Sequence, residues 1–558
     1  MRRLGQLLPV ACAAYSGAQH FRPRVLVVGI SVALSFSGVA AQLVRLASIS
    51  DNGMVLNVSE PLSATFARPD IVDRSGRLLA TDVEVPSLYA DPALVIDRDE
   101  IAEKLTQVLP DLDAAEIRAS LADRSRRFVW LKRGLAPALA QQVHNLGLPG
   151  LAFRNELRRA YPGGRLAGHV IGTVNIDNKG VSGIEHYIDT AIGVEAVHGA
   201  TRSDCAPLRL SLDMGVQHSL EDELQRAIRR YGAESASGLV LDVMTGEVLG
   251  SASLPGSDPA RPSEAQDPER LDRVMGGTFE LGSIFKTMTL AMAFDAGRAS
   301  PATILDVTQP IVDGRFTIKD PHSAGRPLTV SEVFTHSSNV GAAMLALEAG
   351  VERQKAFLGR VGLLGAMTTE VGPISPPQLP QRWDRIEQIT VAYGHGIAVA
   401  PLQFAAAAGA LVNGGELVIP TFLRRLPGSD VPRTRVLKAV TSAKINDLMR
   451  LNVTDTAGTG KRAAVPGYNV GGKTGTAEMA SAGGYKKSAV ISSFLGAFPM
   501  GRPQYLVLIS LFEPKPSQET GGEIAAAVNA APSTGRLIAR IAPLLGVLPE
   551  GSVAEVAE

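Results

Sequence analysis

The N-terminal part of the chain contains one long apolar stretch without any charged residue. It covers residues 25–44, VLVVGISVALSFSGVAAQLV. As a helix rising about 1.5 Å per residue, it would cross a hydrocarbon core about 30 Å thick. Arginines precede the stretch, and no acidic residue occurs before Asp51. Since positive flanks stay on the cytoplasmic side, we predict a membrane anchor at 25–46, a cytoplasmic tail at 1–24 and export of the remainder.

A cleaved signal peptide is the alternative for the same stretch. The letters VAAQ at 39–42 allow cleavage after Ala41. The apolar run is long for a signal peptide, and Arg45 closes it as in an anchor. The pattern therefore favours an uncleaved anchor.

Residues 47–231 alternate short strand-like runs with one helical stretch near 100–145. Two apolar runs within 68–91 flank a Ser75-Gly76 turn, which predicts a hairpin. Residues 208–232 predict a strand and then a helix that Asp213 caps and Gly232 ends. We expect this region to be a separate α+β domain.

The pattern changes after residue 232. Residues 237–253 predict a hairpin, 283–297 a buried apolar helix, and 298–460 a mostly helical, loop-rich insert. Three further strands follow, within 468–477, 488–498 and 504–513, and then a helix at about 522–545. Short turns between successive strands imply antiparallel pairing. The fold class is therefore α/β, with a five-stranded antiparallel sheet covered by helices, in a domain at 232–546 before a tail at 547–558.

Composition narrows the classes of function. The chain has 558 residues, of which 45% are hydrophobic, so it can form packed cores. Its 55 basic and 55 acidic residues balance, which gives no electrostatic signature of nucleic-acid binding. The two cysteines, Cys12 and Cys205, lie on opposite sides of the predicted anchor. A disulfide and a cysteine zinc site are therefore not expected.

The stretch GYNVGGKTGT at 467–476 fits two different patterns. Its first eight residues match a phosphate-binding loop, which needs a strand before it and a helix after it. The flanking sequences predict neither, so a nucleotide site is not expected. As a strand, the stretch puts Lys473 beside Gly475, where another backbone can approach closely. Such a strand suits a peptide that ends in a carboxylate.

Two more motifs support the strand interpretation. Ser283 and Lys286 form S-x-x-K at a helix start, where a lysine of lowered pKa could activate the serine. Ser337 and Asn339 form S-x-N where another helix begins, although a helix cap would also explain them. The three motifs follow in the order S-x-x-K, S-x-N and K-T-G, spaced 54 and 136 residues apart. That order is typical of penicillin-recognising serine enzymes.

On these motifs the chain resembles a class B penicillin-binding protein along nearly its whole length. RPDIVDRSGRLLA, GVSGIEHYID and FELGSIFK resemble segments of that family, with Leu281 where proline is usual. The segment 382–405 resembles the division-specific branch, with His395 where tyrosine is usual there. The resemblance implies a transpeptidase domain on a pedestal at 47–231, and peptidoglycan D,D-transpeptidation at the division septum.

The resemblance also implies the roles of the site residues. Ser283 would attack the penultimate D-Ala of a stem peptide, with Lys286 as general base. Ser337 would relay a proton, Asn339 would hold the substrate amide and Lys473 would set the electrostatics. Thr474, Gly475 and Thr476 would bind substrate at the terminal carboxylate, and β-lactams would acylate Ser283. The implied partners are a membrane glycan polymerase of the SEDS type and other division proteins. No cofactor or metal is expected.

Three other functions share parts of this evidence. An elongation-type transpeptidase would carry the same motifs. A D,D-carboxypeptidase or β-lactam hydrolase would also use them, although the pedestal and anchor argue against a secreted β-lactamase. A catalytically idle scaffold is the third, and the intact motif residues argue against it.

Overall fold

The computed structural model describes residues 22–48, 68–192, 206–481 and 484–550. The chain forms two compact units, Met1–Ala64 and Thr65–Glu558. In the first unit, one helix, α1, runs from Arg22 to Ser48, with exposed side chains at residues 27–42. In these four described ranges, no helix is both long and apolar enough to cross a membrane. The anchor at 25–46 therefore stays a prediction, and Cys12 and Cys205 lie outside the described residues.

The second unit begins with the predicted α+β region. Strands β1 and β2 form the predicted hairpin, with Gly76 in its turn at φ +90°. The sheet has the order β3-β2-β1-β5, with β4 also paired to β2 and helices packed against its outer part. The elements are β1 (Ile71–Val72), β2 (Leu78–Ala90), α2 (Arg98–Val108), α3 (Ala114–Ser120), β3 (Val129–Lys132), α4 (Pro137–Asn145), β4 (Leu151–Ala160), α5 (Gly168–Ile171), α6 (Gly183–Tyr187) and β5 (Leu208–Arg209).

Four charged side chains lie buried together where this region's segments meet. Arg159 bonds Glu185 at 2.7 Å and Asp82 at 3.2 Å, and Arg68 bonds the second oxygen of Glu185 at 3.0 Å. Each of these side chains is at most 2% exposed. Buried charges are tolerated only when they are paired and fully hydrogen-bonded. The cluster therefore ties together residue 68, β2, β4 and α6.

The larger part of the unit carries the five-stranded sheet. The predicted cap and end of its first helix are confirmed, since Asp213 accepts from Gly215 N and Val216 N and Gly232 is left-handed. Its elements are α7 (Met214–Tyr231), β6 (Ser235–Asp242), β7 (Val248–Leu254), α8 (Lys286–Asp295), β8 (Ile304–Leu305), β9 (Ile311–Asp313), β10 (Phe316–Ile318), β11 (Leu328–Thr329), α9 (Val330–Thr335), α10 (Asn339–Ala349), α11 (Val351–Arg360), β12 (Thr368–Thr369), β13 (Gly372–Pro373), α12 (Arg385–Val391), α13 (Pro401–Val412), β14 (Glu416–Val418), β15 (Arg433–Arg435), α14 (Ala439–Thr454), β16 (Gly471–Ser481), β17 (Gly484–Phe498), β18 (Tyr505–Phe512) and α15 (Ala530–Leu544).

The sheet has the order β16-β17-β18-β6-β7 and every pair is antiparallel, as predicted. Alternate residues of its strands enter two different cores. Val507 and Ile509 pack with α7 and α15, whereas Leu506 and Leu508 pack with α8 and α13. All eight residues of β18 are buried for this reason. The sheet is the middle layer of three, and β16 lies at its edge.

The prediction for the last helix was wrong at its N-terminal end. The helix begins at Ala530 rather than near 522. Gly521 and Gly522 have φ of +65° and +81°, which a right-handed helix does not allow. The Ile524 carbonyl accepts from the side chains of Ser492 and Asn529 instead of a helical N–H. Tertiary contacts thus hold residues 521–529 as a loop over β16 and β17.

Candidate active site

Ser283 lies in a 3-10 turn, Gly282–Phe285, that leads into α8. Lys286 is the first residue of α8, and its backbone N–H donates to the Ser283 carbonyl. Ser283 is half-buried, and its hydroxyl has no hydrogen-bond partner among the described residues. The predicted helix over 283–297 therefore starts with a tighter turn, which leaves the serine hydroxyl available.

Gly475 allows this turn to lie directly on β16. A Cβ on Gly475 would stand 2.5 Å from the Leu281 oxygen and 3.1 Å from the Ile284 nitrogen. A Cβ on Gly282 would likewise stand 2.7 Å from the Thr476 oxygen. Contacts below 3 Å cannot be accommodated without movement of one backbone. The two glycines thus bring the serine turn and the K-T-G strand into contact.

Ser337 occupies the left-handed position that ends α9. Its φ is +58°, its N–H donates to Phe334 O, and the next N–H, of Ser338, donates to Val333 O. This pair of bonds is the Schellman arrangement, in which glycine usually takes the left-handed place. A serine there bears some strain, but it presents a hydroxyl at the junction of α9 and α10.

The helix cap expected within the S-x-N motif falls on its middle residue. Ser338 accepts from Gly341 N at 2.9 Å, so the interpretation that Ser337 or Asn339 caps α10 was wrong. The Asp320 carboxylate accepts from Asn339 N and Val340 N at 2.6 and 3.0 Å. Because these groups satisfy the first turn, the side chains of Ser337 and Asn339 are left for other partners.

Those partners are the two motif lysines. Lys286 Nζ donates to Asn339 Oδ1 at 2.7 Å, to Ser337 Oγ at 3.2 Å and, more closely, to the Ser337 carbonyl. Lys473 Nζ donates to the same Ser337 Oγ at 2.9 Å. Ser337 thus bridges α8 and β16, and one small cluster joins Lys286, Ser337, Asn339 and Lys473.

Burial changes the ionisation of both lysines. Neither side chain is exposed to solvent. Desolvation, reinforced by Lys473, lowers the pKa of Lys286 well below its usual range, against an opposing effect of Asp320. Desolvation also lowers the pKa of Lys473 to about 7. Loss of hydration disfavours the ammonium form, so the site can hold an unprotonated amine near neutral pH.

The two threonines of the strand have different surroundings. Thr474 is almost buried, and its hydroxyl donates to Thr459 Oγ1 at 2.8 Å. Thr459 in turn bonds Asn452, a fully buried residue of α14 that also donates to Gly472 O. Thr476 is exposed, and its hydroxyl accepts from Ala526 N at 3.1 Å, which leaves its own proton available. Only Thr476 therefore has a hydroxyl open to the cleft.

The sequence did not identify Asp320, Asn452 and Thr459 as parts of the site. Asp320 follows β10 and lies 17 residues before Ser337, so only the fold brings it to α10. The glycines on either side of Thr459 were the signal in the sequence that another backbone lies close to it. A Cβ on Gly458 would stand 2.2 Å from Asn452 O, and a Cβ on Gly460 would stand 3.1 Å from it. No group of three or more His, Cys, Asp or Glu side chains in the described ranges could hold a metal.

Two departures from the family pattern, Leu281 and His395, lie at the segment that leads into Ser283. Leu281 is buried, and its carbonyl lies against Gly475. His395 Nδ1 lies 3.0 Å from Glu280, and Glu280 also accepts from Gly396 N. His336, which adjoins Ser337 in sequence, is exposed and lies at the end of α9. The substitution at 281 therefore leaves the close packing of the serine turn intact.

Comparison with known proteins agrees with this geometry. Residues 236–532 match the penicillin binding protein transpeptidase domain, and residues 64–193 match the penicillin-binding protein dimerisation domain. The chain therefore belongs to the penicillin-binding transpeptidases, within the FtsI type of class B.

Individual relatives support the assignment. The chain is 40% identical to a probable peptidoglycan D,D-transpeptidase FtsI of Caulobacter vibrioides, over 86% of this chain and 82% of the relative. It is 30% identical to the peptidoglycan D,D-transpeptidase FtsI of Escherichia coli K12, over 83% and 82%. The solved transpeptidase domain of Burkholderia pseudomallei penicillin-binding protein 3 matches with a TM-score of 0.55 at 30% identity, over 63% of this chain and 99% of that domain.

Proposed function

We propose that this protein is a peptidoglycan D,D-transpeptidase that cross-links stem peptides at the division septum through an acyl-serine at Ser283. The observation that supports the chemistry best is the fully buried lysine pair bridged by Ser337, one helical turn from an unbonded serine hydroxyl. A serine becomes nucleophilic when an adjacent base accepts its proton. Lys286 is the base in this proposal because burial favours its neutral form.

The contacts of Lys286 indicate how the base is readied. Its Nζ has three acceptors, which matches the three N–H groups of a protonated lysine. A neutral amine has two N–H groups and one lone pair, so one contact must be released. Of the two contacts with side chains, the one to Ser337 Oγ is longer, at 3.2 Å, than the one to Asn339 Oδ1, at 2.7 Å. Lys473 also donates to Ser337 Oγ, so that oxygen keeps a donor when Lys286 withdraws. Loss of that N–H leaves a lone pair on Nζ, which accepts the Ser283 proton once it faces that hydroxyl.

The reaction then follows in two transfers. Ser283 Oγ forms a bond to the carbonyl of the penultimate D-Ala while its proton passes to Lys286. The backbone N–H groups of Ser283 and Thr476 stabilise the negative oxygen. The bond to terminal D-Ala breaks as Ser337 passes its proton to the leaving amine and takes in its place the proton that Lys286 accepted. An amine of a neighbouring stem peptide then attacks the ester, and its proton passes through Lys286 to the Ser283 oxygen as the C–O bond breaks, which frees Ser283 and forms the cross-link.

The substrate contacts are assigned by position. Thr476 donates to the terminal carboxylate, with Thr474 behind it and Lys473 supplying positive potential when protonated. Gly475 lets the serine turn lie against the strand that receives the substrate, and Asn339 holds the substrate amide. β-lactams present the same carboxylate and a strained amide, so they acylate Ser283.

Labelling with a fluorescent penicillin tests the nucleophile. Wild-type protein should become covalently labelled and Ser283→Ala should not, whereas Ser300→Ala, an exposed serine five residues after α8, should label as wild type does. Equal labelling of Ser283→Ala would refute the assignment. Rapid loss of the bound label would favour a β-lactam hydrolase, and a free D-Ala product without cross-links would favour a carboxypeptidase.

We further propose the anchor at 25–46, the pedestal at 47–231 apart from α7, which packs on the transpeptidase sheet, and the transpeptidase domain at 232–546, with the catalytic part in the periplasm. The partners in this proposal are a SEDS-type glycan polymerase and other division proteins at the inner membrane. Removal of residues 1–46 should leave penicillin labelling intact and move the protein from the membrane fraction to the soluble fraction. Lateral rather than septal localisation of a fluorescent fusion would favour the elongation role.

A further inference from the structure

One carboxylate outside the three motifs holds the S-x-N segment in place. Asp320 follows β10 and is half-buried. Its Oδ1 accepts from the backbone N–H groups of Asn339 and Val340, and its Oδ2 accepts from the Ser338 hydroxyl at 2.6 Å. Ser338 Oγ in turn accepts from Gly341 N. The first turn of α10 is thereby satisfied by Asp320 together with Ser338.

This arrangement fixes the conformation on which the lysine contacts depend. Ser337 has a left-handed backbone, which a residue with a Cβ adopts only when its surroundings enforce it. The Schellman bonds of α9 hold it from the N-terminal side, and the first turn of α10 holds it from the C-terminal side. If that turn moved, the Ser337 and Asn339 oxygens would leave Lys286.

Asp320 also contributes a charge to the same place. The charged groups that face Lys286 are Lys473 from β16 and Asp320 from the segment after β10. Lys473 lowers the pKa of Lys286 and Asp320 raises it. Charge-assisted bonds from backbone N–H groups to a carboxylate are stronger than neutral ones. Asp320 therefore has a mechanical role, because it holds the first turn of α10, and an electrostatic role, because its charge acts on Lys286.

We infer that Asp320 is a positioning residue for acyl transfer, which holds Ser337 and Asn339 against Lys286 through the first turn of α10 and balances the charge of the lysine pair. The inference rests on the proposed function of Ser283 and Lys286. Asp320 contacts no reacting atom, and its effect passes entirely through α10 and the field at Lys286.

Two substitutions separate these contributions. Asp320→Asn keeps an oxygen that can accept from the N–H groups but removes the charge. Asp320→Ala removes both the charge and the acceptor. Asp213→Asn is the matched control, since Asp213 caps α7 in the same way and belongs to no part of the site.

The measurement is the rate of acylation of the full-length protein by a fluorescent penicillin, between about pH 5 and pH 10. A neutral residue 320 lowers the pKa of Lys286 further, so the acid limb of the Asp320→Asn profile, where the rate rises with pH, should move to lower pH. Asp320→Ala should lose about ten- to hundredfold of the rate at every pH. Asp213→Asn should keep both the rate and the limb.

Each opposite result overturns part of the inference. An acid limb of Asp320→Asn that coincides with wild type overturns the electrostatic role, and a wild-type rate in Asp320→Ala overturns the mechanical role. Thermal unfolding shows whether Asp320→Ala is folded, and if it is not, Asp320→Asn carries the test alone. Labelling of Ser283→Ala in the same assay would refute the proposed nucleophile instead, so the two failures are distinguishable.

Discussion

Lys286 and Lys473 are completely buried although each side chain ends in an amine that is charged in water. Burial of a charge without a full set of partners costs several kcal/mol, and a lysine avoids much of that cost by losing its proton. Asn339 and Ser337 supply oxygen acceptors, but no carboxylate among the described residues bonds either lysine directly. At the scale of single residues, the site therefore holds an unprotonated amine at the cost of a lower free energy of unfolding.

Lys473→Met should be stabilising in a pH-dependent way. The pKa of Lys473 falls from 10.5 to about 7 on folding, so the unfolded chain binds more protons between these values. Wild-type stability therefore rises with pH in this window, by at most about 1.4 kcal/mol per unit from this group. In urea denaturation, the advantage of Lys473→Met should be greatest near pH 7 and shrink toward pH 10. Lys104→Met, at a half-exposed position, should show no such trend.

Ser337 is a second residue at which stability and activity should separate. Ser337→Gly removes the hydroxyl and also the strain of a left-handed residue, whereas Ser337→Ala removes the hydroxyl alone. The Ser337→Gly protein should therefore be more stable than the Ser337→Ala protein by about 1 kcal/mol in thermal unfolding. Both variants should lose penicillin acylation. Equal stability of the two would show that the backbone at 337 is not strained.

At the scale of elements, the site depends on the contact between the Gly282–Phe285 turn and β16. Gly475→Ala should push the turn away, because its Cβ would meet Leu281 O and Ile284 N. We expect acylation by penicillin to fall at least about tenfold, since small displacements of a nucleophile are costly. Gly501→Ala is the control, because a Cβ there meets no atom within 4 Å. A normal rate in Gly475→Ala would contradict the close packing.

Most elements were predictable because their periodicity and turn residues agree. The β6–β7 hairpin, the three last strands and α7 with its Asp213 cap follow from local pattern alone. The start of α15 does not follow from local pattern, because a hydrogen bond from Ser492 on β17 to the Ile524 carbonyl holds the preceding residues as a loop. The cap of α10 does not follow from local pattern either, because Asp320, which bonds its first turn, follows the β9–β10 hairpin and is distant in sequence.

At the scale of the whole molecule, the α+β region depends on its buried charge cluster. Removal of one member leaves the others uncompensated in the interior. Glu185→Gln should therefore lower the free energy of unfolding by about 3–5 kcal/mol, measured by urea denaturation of the full chain. Glu100→Gln, in a half-exposed pair with Lys104, should change it by less than about 1 kcal/mol. Similar effects of the two changes would contradict a structural role for the cluster.

The sequence by itself determined which chemistry the chain can perform, because the serine, lysine and asparagine of the three motifs are fixed by local spacing within a turn or strand. It also determined the antiparallel pairing of β6 with β7 and of β16, β17 and β18, because short turns leave no other pairing, whereas the tertiary structure joins the two groups through β18 and β6. The tertiary structure alone decided which groups surround those motifs. Asp320, Asn452 and Thr459 reach the site from separate segments, and the burial that lowers both lysine pKa values exists only after α8, α10 and β16 have packed together.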